Sequence, residues 1–85
     1  MGDVIIMITI KDYINKIKWG PKEKKEDYRF YYIDRVNNEL KEIRFLDIKD
    51  IEGGFMIIHG RYEDVEIPLH RIREVKRNGI VVWRR

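Results

Sequence analysis

The last nineteen residues, IPLHRIREVKRNGIVVWRR, concentrate the side chains that could hold an anion. They include a histidine, five arginines and a lysine, against a single acid, Glu74. Arginine suits phosphate because its planar guanidinium can donate two hydrogen bonds at once. The formal net charge of the whole chain is only +3, so the positive charge is polarised into this segment. A basic segment of this kind steers anions towards itself.

The dipeptide Asn78-Gly79 predicts that this segment folds as a β-hairpin, because a type I′ turn needs a positive φ at both central positions. The regular register that follows from this turn places Arg73 opposite Arg84. Like charges across an antiparallel pair are unfavourable, so we expect either an acid or a bound phosphate to relieve them. Both interpretations stay open at this point. The acids that could neutralise the arginines are Asp34, Glu66 and Glu74.

Catalytic chemistry is not indicated. The chain contains no cysteine or serine, and its single threonine, Thr9, is better used as a helix cap. His59 and His70 are eleven residues apart, which is not a metal-ligand spacing. Neither histidine is followed closely by the Ser or Thr that a two-histidine phosphoesterase needs. We therefore expect a protein that is not an enzyme and that uses no metal or cofactor, with a weak phosphoesterase based on His70 as the least favoured alternative.

Length and composition limit the kind of protein further. Eighty-five residues predict one domain, residues 1–85, with its site on the surface or in a shallow groove. The absence of cysteine excludes a disulfide framework. The longest apolar run, residues 4–8, is too short to span a bilayer, so we expect a cytoplasmic protein without membrane association. A charged fraction of 39% resembles that of hyperthermophile proteins.

The sequence predicts one N-terminal helix. Thr9, followed three residues later by Asp12, indicates an N-cap, and apolar residues at 10, 13, 14 and 17 define a two-turn amphipathic helix. Gly20 and Pro21 mark its end. Residues 1–8 are expected to be an extension or a short strand.

Five or six strands are predicted to follow the helix. Aromatic and β-branched runs indicate strands, and the chain is expected to make a single helical turn between Pro68 and Arg73. The fold class is α+β, with the helix packed on a curved antiparallel sheet or a small, partly open barrel. Strands are predicted at residues 27–35, 40–45, 55–61 and 65–68 and in the final hairpin, with loops at residues 21–27 and 46–54.

Aromatic side chains could supply a second component of an RNA site, because single-stranded bases stack on exposed rings beside a basic groove. In a small domain most rings must belong to the core. Trp83 shares its predicted face with Val81, so it is either a core residue or a platform for a base. The candidate rings are Tyr28, Tyr31, Tyr32, Phe55, Tyr62 and Trp83.

Four blocks carry a resemblance to a known family: IKW at 17–19, YIDR at 32–35, IPLHRI at 67–72 and NGIVVWRR at 78–85. With them the chain resembles an archaeal family, long described as a domain of unknown function and renamed the RNA cyclic group end recognition domain. The resemblance covers nearly the whole chain. It implies binding of a single-stranded RNA end, with a 2′,3′-cyclic phosphate as ligand, in RNA repair or processing.

The resemblance also implies roles for individual residues. Arg71 and Arg84 would grip the phosphate, His70 would donate to a cyclic phosphate oxygen, and Trp83 would stack on the terminal base. Arg35 would add charge. The site residues expected from the family pattern are Asp34, Arg35, His70, Arg71, Trp83 and Arg84, and the hairpin register adds Arg73.

One alternative to RNA binding is a protein-interaction or scaffold module. In that case the acidic middle of the chain and the basic hairpin would dock an RNA-processing protein or a second copy of the chain. Residues 37–69 carry eight acids and four bases, which is the charge asymmetry that such docking would use. The sequence does not define the oligomeric state.

Overall fold

The computed structural model describes residues 8–85. In this part of the chain one α-helix and seven β-strands form an α+β fold, which confirms the predicted class. The expectation for residues 1–7 lies outside the described residues. The elements are α1 Ile10–Trp19, β1 Tyr28–Asp34, β2 Glu39–Arg44, β3 Ile48–Glu52, β4 Phe55–Ile58, β5 Val65–Pro68, β6 Ile72–Arg77 and β7 Ile80–Arg84, with 3₁₀ turns at Lys25–Asp27, Phe45–Asp47 and Leu69–Arg71.

The strands form two antiparallel sheets, so the prediction of one curved sheet or partly open barrel is wrong. One sheet has the order β2-β1-β6-β7 and the other β3-β4-β5. The additional strand, β3, lies in a segment that was predicted as a loop. Its pairing with β4 shifts between Ile48 and Asp50, so the half-buried Ile48 and Ile51 are three residues apart. A bulge of this kind hides the alternation that marks a strand.

Helix α1 forms where it was predicted. The hydroxyl of Thr9 accepts a hydrogen bond from the N–H of Asp12 at 3.2 Å, as expected of an N-cap. A side chain at Gly20 would come within 2.9 Å of the carbonyl oxygen of Lys16, so a larger residue here would force the end of the helix to shift. In residues 8–85 no helix is long and apolar enough to cross a membrane. The buried face consists of Ile10, Tyr13, Ile14 and Ile17.

A single apolar core joins α1 to both sheets. Phe30 lies at its centre on β1, fully buried, between its strand partners Ile43 and Val75. The ring of Phe45 lies 5.9 Å from the ring of Phe30. Burial of this apolar surface is the main source of stability in a domain of this size. The same core holds the start of α1 beside the end of β7, because Ile8 and Trp83 both pack against it.

The turn of the C-terminal hairpin has the predicted geometry. Asn78 has a φ of 51° and Gly79 a φ of 83°, which are the positive values that a type I′ turn requires. Arg77 pairs with Ile80, as the regular register predicts. The expected helical turn before this hairpin is also present, as the 3₁₀ turn Leu69–Arg71.

A β-bulge at Val82 changes the register of the hairpin away from its turn. Val75 faces Trp83 across the two strands, instead of Val82. The prediction that Trp83 shares a face with Val81 is therefore wrong. The physical reason is burial: Val75 is fully buried, and the extra residue brings the large indole onto the same face, where it packs against the core.

The bulge also removes the predicted pairing of like charges. Arg84 lies opposite Glu74 and not opposite Arg73, and its Nε is 3.7 Å from the carboxylate of Glu74. The need to relieve two facing arginines, which pointed to a phosphate, therefore does not exist. Any anion site at this end of the hairpin has to be supported by the arrangement of the neighbouring elements.

Candidate functional site

A surface groove of about 580 Å³ lies between the start of α1, the 3₁₀ turn Leu69–Arg71 and the end of β7. We call it the hairpin groove. Four basic side chains line it, together with the ring of Trp83, and none of its described lining residues is acidic. The groove therefore attracts anions. The basic side chains are those of Lys11, His70, Arg84 and Arg85.

Arg85 connects the end of β7 to the turn that carries His70. Its Nε donates to the carbonyl oxygen of Ile72 at 2.9 Å, and a terminal nitrogen donates to that of Leu69 at 3.0 Å. Its backbone N–H also donates to the carbonyl oxygen of Arg73 at 3.0 Å. Hydrogen bonds from a charged donor are stronger than neutral ones. Arg85 therefore holds two walls of the hairpin groove at a fixed separation.

Arg73 also contacts the 3₁₀ turn Leu69–Arg71. The pairing of β6 with β1 shifts at Arg73, which forms a third bulge. Its guanidinium donates to the carbonyl oxygen of His70 at 2.6 Å. The side chain is not part of the groove lining. The structure therefore places Arg73 as a support of the turn and not within the groove.

The indole of Trp83 is fixed at the edge of the core. Its Nε1–H donates to the carbonyl oxygen of Ile8 at 2.8 Å, and the guanidinium of Arg85 lies 5.4 Å from the ring centroid. This contact is within the range of a cation–π interaction. The ring is half-buried and lines the groove. Part of it is therefore available to a planar ligand, and its orientation is already set.

The electrostatics of the groove come from side chains and from the helix. Lys11 lies in the first turn of α1, where the helix dipole places a partial positive charge. Arg84 is 68% exposed, and its contact with Glu74 is long and shared, because Lys76 also lies 3.7 Å from that carboxylate. Glu74 is largely buried and keeps Lys76 as a partner, whereas Arg84 is held only by this long contact, so Arg84 can leave it and bind an anion at small cost.

The structure brings three of the predicted site residues together. His70, Trp83 and Arg84 all line the hairpin groove. Arg71 lies in the same 3₁₀ turn as His70 but is not part of the lining. Arg35 is exposed in the turn between β1 and β2 and is also outside it. Only some of the predicted site residues therefore lie together, and those that do come from the two blocks IPLHRI and VVWRR.

The carboxylate of Asp34 is engaged in contacts within and beside the turn that follows β1. Its carboxylate accepts hydrogen bonds from the N–H of Val36 at 3.0 Å and from the side-chain amide of Asn37 at 3.1 Å. The ammonium of Lys41 lies 2.9 Å away, and its hydrogen bond lowers the pKa of the Asp34 carboxyl below its usual value. These contacts give Asp34 a local structural role, and the residue does not line the groove.

We expect Asp34→Asn to lower the thermal stability at neutral pH but not in strong acid. The amide keeps an acceptor for the N–H of Val36, but it loses the charge and the second oxygen, which accepts from Asn37 and lies beside Lys41. Because the folded pKa lies below the unfolded value of about 3.9, the charge stabilises the fold above that pH, and this stabilisation is lost as the pH falls through the folded pKa. Thermal melts followed by circular dichroism would show the two proteins converge in acid. A constant difference would contradict this role.

Two basic residues that line the groove, Lys11 and Arg85, were not among the predicted site residues. A signal for Lys11 exists, since it follows the N-cap Thr9 in a helix whose first turn attracts anions. No comparable signal exists for Arg85. Its contacts depend on the bulge at Val82, which a regular hairpin register does not include.

A metal centre is not visible in the described part of the chain. In residues 8–85 no three side chains of His, Asp or Glu lie close enough to hold an ion. His59 follows β4, and its N–H donates to the carbonyl oxygen of Asp47, whereas His70 lies in the turn before β6. The two histidines thus lie outside the strands, after β4 and after β5 respectively.

Comparisons with known proteins find relatives that cover nearly the whole chain. A UPF0248 protein of Saccharolobus islandicus is 39% identical over 81 residues, which are 92% of this chain and 100% of that protein. A UPF0248 protein of Saccharolobus solfataricus is 38% identical over 81 residues, 92% of this chain and 98% of its own length. The UPF0248 protein MJ1316 of Methanocaldococcus jannaschii is 35% identical over 81 residues, with 93% and 96% covered.

No solved structure matches the chain. The family model described as the MJ1316 RNA cyclic group end recognition domain matches residues 7–85. This match includes both blocks that line the hairpin groove, and it confirms the resemblance inferred from the sequence. The chain belongs to the family of the MJ1316 RNA cyclic group end recognition domain.

Proposed function

We propose that this chain is a non-catalytic module that binds the end of single-stranded RNA, with a 2′,3′-cyclic phosphate as its ligand, in RNA repair or processing. The family description names this kind of recognition. The observation that carries the proposal to this chain is the hairpin groove, in which four basic side chains and an indole ring converge with no acidic side chain in the described lining.

Arg84 is the proposed principal ligand of the terminal phosphate. It is exposed, its only ion-pair partner in residues 8–85 is at 3.7 Å, and its planar fork can donate two hydrogen bonds. His70 is exposed beside it and would donate to a second phosphate oxygen. Lys11 and the first turn of α1 would add positive potential. Arg71, in the same turn as His70, and Arg35, in the turn after β1, do not line the groove and would add only long-range positive potential.

Trp83 is the proposed platform for the terminal base. Single-stranded RNA is commonly held by stacking of its bases on aromatic rings beside a basic surface. The hydrogen bond to Ile8 and the contact with Arg85 fix the indole before any ligand arrives. A fixed platform loses less conformational freedom on binding than a mobile ring would.

We propose recognition without turnover because the described lining offers His70 neither a second histidine nor a carboxylate as a partner, and burial raises the pKa of the lining Tyr13, which makes its hydroxyl a weaker acid. Hydrolysis of a cyclic phosphate needs one group to take a proton from water and another to protonate the leaving oxygen. His70 could serve as one of them. No second histidine and no carboxylate is among the described residues that line the groove. The geometry therefore favours holding the phosphate over cleaving it.

The direct test compares one short RNA sequence with four different 3′ ends: 2′,3′-cyclic phosphate, 2′-phosphate, 3′-phosphate and hydroxyl. Fluorescence anisotropy should show the tightest binding for the cyclic phosphate. Affinity should fall with salt, because binding to phosphate releases counterions. Mass spectrometry should recover the cyclic phosphate intact after incubation. Equal affinity for all four ends would contradict the proposal.

Two other outcomes would favour the alternatives. Loss of the cyclic phosphate during incubation would indicate a phosphoesterase. Absence of binding to every RNA even at low salt would indicate a module that docks an RNA-processing protein or a second copy of the chain. Both outcomes can be read from the same titration, since it follows the affinity and the chemical state of the RNA together.

A further inference from the structure

We propose that a second groove binds the phosphodiester backbone of the RNA strand that leads to the bound end. The groove has a volume of about 340 Å³ and lies between α1, the 3₁₀ turn Phe45–Asp47 and β3. We call it the helix groove. This inference rests on the proposed function, because it assigns the occupant to the same RNA molecule.

Three lysines give the helix groove its positive charge. Lys11, Lys18 and Lys25 line it, and none of them forms an ion pair with any residue from 8 to 85. Their ammonium groups are therefore available to phosphates. A charged groove that follows the backbone is the common feature of proteins that bind single strands without reading their sequence.

The other two charged side chains of the lining do not cancel this excess. Lys49 lies 2.7 Å from the carboxylate of Asp64, so it is already paired. Asp50 is the single acid among the described lining residues, and one of its oxygens accepts a hydrogen bond from the N–H of Ile51. The potential along the helix side of the groove thus remains positive.

The basic side chains form a row along the helix. Lys11, Asn15 and Lys18 are spaced by four and three residues, which places them on one face of α1, and all three line the groove. At a rise of about 1.5 Å per residue, the first and last are roughly 10 Å apart along the helix axis. A row of this length suits an extended polyanion better than a single small anion.

Apolar side chains form the floor of the helix groove. Ile14 and Phe45 are buried below it, and Leu46 is 58% exposed at its side. Nucleotides present both a charged backbone and flat apolar base faces, so lysines beside an apolar floor complement them. An acidic peptide would match the charge, but it would match the apolar floor only where it also carried apolar or aromatic side chains.

The two grooves meet at Lys11, which lines both of them. An RNA whose terminal phosphate lies near Arg84 can therefore continue past Lys11 and along α1 towards Lys18 and Lys25. This path gives the bound strand a direction, with its 3′ end in the hairpin groove and the preceding nucleotides in the helix groove.

The test compares a double variant, Lys18→Gln with Lys25→Gln, with a matched control, Lys16→Gln with Lys22→Gln. The control removes the same charge from α1 and the following loop, at positions that line neither groove. Two ligands are used: a nucleoside 2′,3′-cyclic monophosphate and a short oligonucleotide that ends in the same group. Thermal melts should show that both variants remain folded.

We expect the Lys18 and Lys25 variant to bind the oligonucleotide several-fold more weakly and the mononucleotide as tightly as the native protein does. The slope of log affinity against log salt should decrease by about 1.4 for the oligonucleotide, because each lost phosphate contact on a single strand contributes about 0.7. The control variant should leave both affinities near the native values.

The proposal is overturned if the variant binds the oligonucleotide normally, if it loses both ligands equally, or if the control weakens binding as much. Binding of an acidic peptide in place of RNA would also overturn it. Failure of the proposed function would look different. In that case a hydroxyl-ended oligonucleotide would bind as tightly as the cyclic-phosphate form, while the dependence on Lys18 and Lys25 would persist.

Discussion

Trp83→Ala should weaken binding of an RNA that ends in a cyclic phosphate by roughly 5- to 150-fold, since a base stacked on an aromatic ring contributes about 1–3 kcal/mol. The indole is the ring that the bulge at Val82 places at the groove. The variant also loses the hydrogen bond to Ile8 and the contact with Arg85. Anisotropy titrations with the native protein and the variant measure the effect.

Trp83→Phe is the matched control for this change. It keeps an aromatic face and loses the Nε1–H donor, so it should recover most of the RNA affinity while remaining somewhat less stable than the native protein. Both variants should be titrated well below their melting temperatures, because the indole also packs against the core. If Trp83→Phe binds as weakly as Trp83→Ala although both are folded, the ring is structural and not a platform for a base.

Changes at Arg84 and Glu74 should move RNA affinity in opposite directions. Arg84→Ala should weaken binding roughly 10- to 150-fold, because a hydrogen bond to a charged group contributes about 1.5–3 kcal/mol. Glu74→Gln should strengthen it a few-fold at low salt, since the carboxylate 3.7 Å from the guanidinium competes with the phosphate. Arg84→Ala should alter stability little, because Arg84 is exposed and its ion pair is long, whereas Glu74→Gln, which removes the shared partner of Lys76 and Arg84, should lower stability somewhat more.

Arg77→Ala is the control for charge alone. Arg77 belongs to the same hairpin but lies beside its turn, opposite Ile80, and does not line the hairpin groove. Isothermal titration of all three variants with the same RNA compares them directly. An equal loss of affinity in Arg77→Ala and Arg84→Ala would show that the RNA responds to net charge and would contradict a specific contact with Arg84.

The parts of the fold that the sequence predicted are those governed by local rules. The cap at Thr9, the end of α1 at Gly20 and the turn at Asn78-Gly79 each depend on the backbone preferences of a few neighbouring residues. The strands β1, β4 and β5 carry the expected enrichment in β-branched and aromatic residues, and β2 is the predicted return strand after the turn that follows β1. All of these elements appear in the structure where they were predicted, within a few residues.

The parts that were not predicted depend on tertiary packing. The bulge in β3 hides its alternation, and the bulge at Val82 exists because the core accepts the indole of Trp83 beside Val75. The separation into two sheets depends on which strands share a face of the core, and a single sequence does not specify this. Local sequence signals predict where helices and strands lie. They do not predict the one-residue register shifts that change which face of a sheet a side chain points to.

In the candidate site, too, local signals predicted some residues, whereas others come together only through tertiary packing. His70 and Arg84 follow from the concentration of basic residues at the C-terminus and from the family blocks. Lys11 joins them only because the chain folds so that Trp83 donates to the carbonyl oxygen of Ile8, 75 residues earlier. Arg73 was singled out because a regular register placed it opposite Arg84, and the structure instead shows it supporting the turn through the carbonyl oxygen of His70.

The claim that the hairpin groove holds the RNA end is tested most directly by an NMR titration of the isotope-labelled protein. The ligands are adenosine 2′,3′-cyclic monophosphate and, for comparison, adenosine 3′-monophosphate. We expect the cyclic ligand to cause the largest shift changes at the indole N–H of Trp83 and at the backbone N–H groups of Lys11, His70 and Arg84, with smaller changes for the 3′-monophosphate. Largest changes in the sheet β3-β4-β5, or equal responses to both ligands, would contradict the claim.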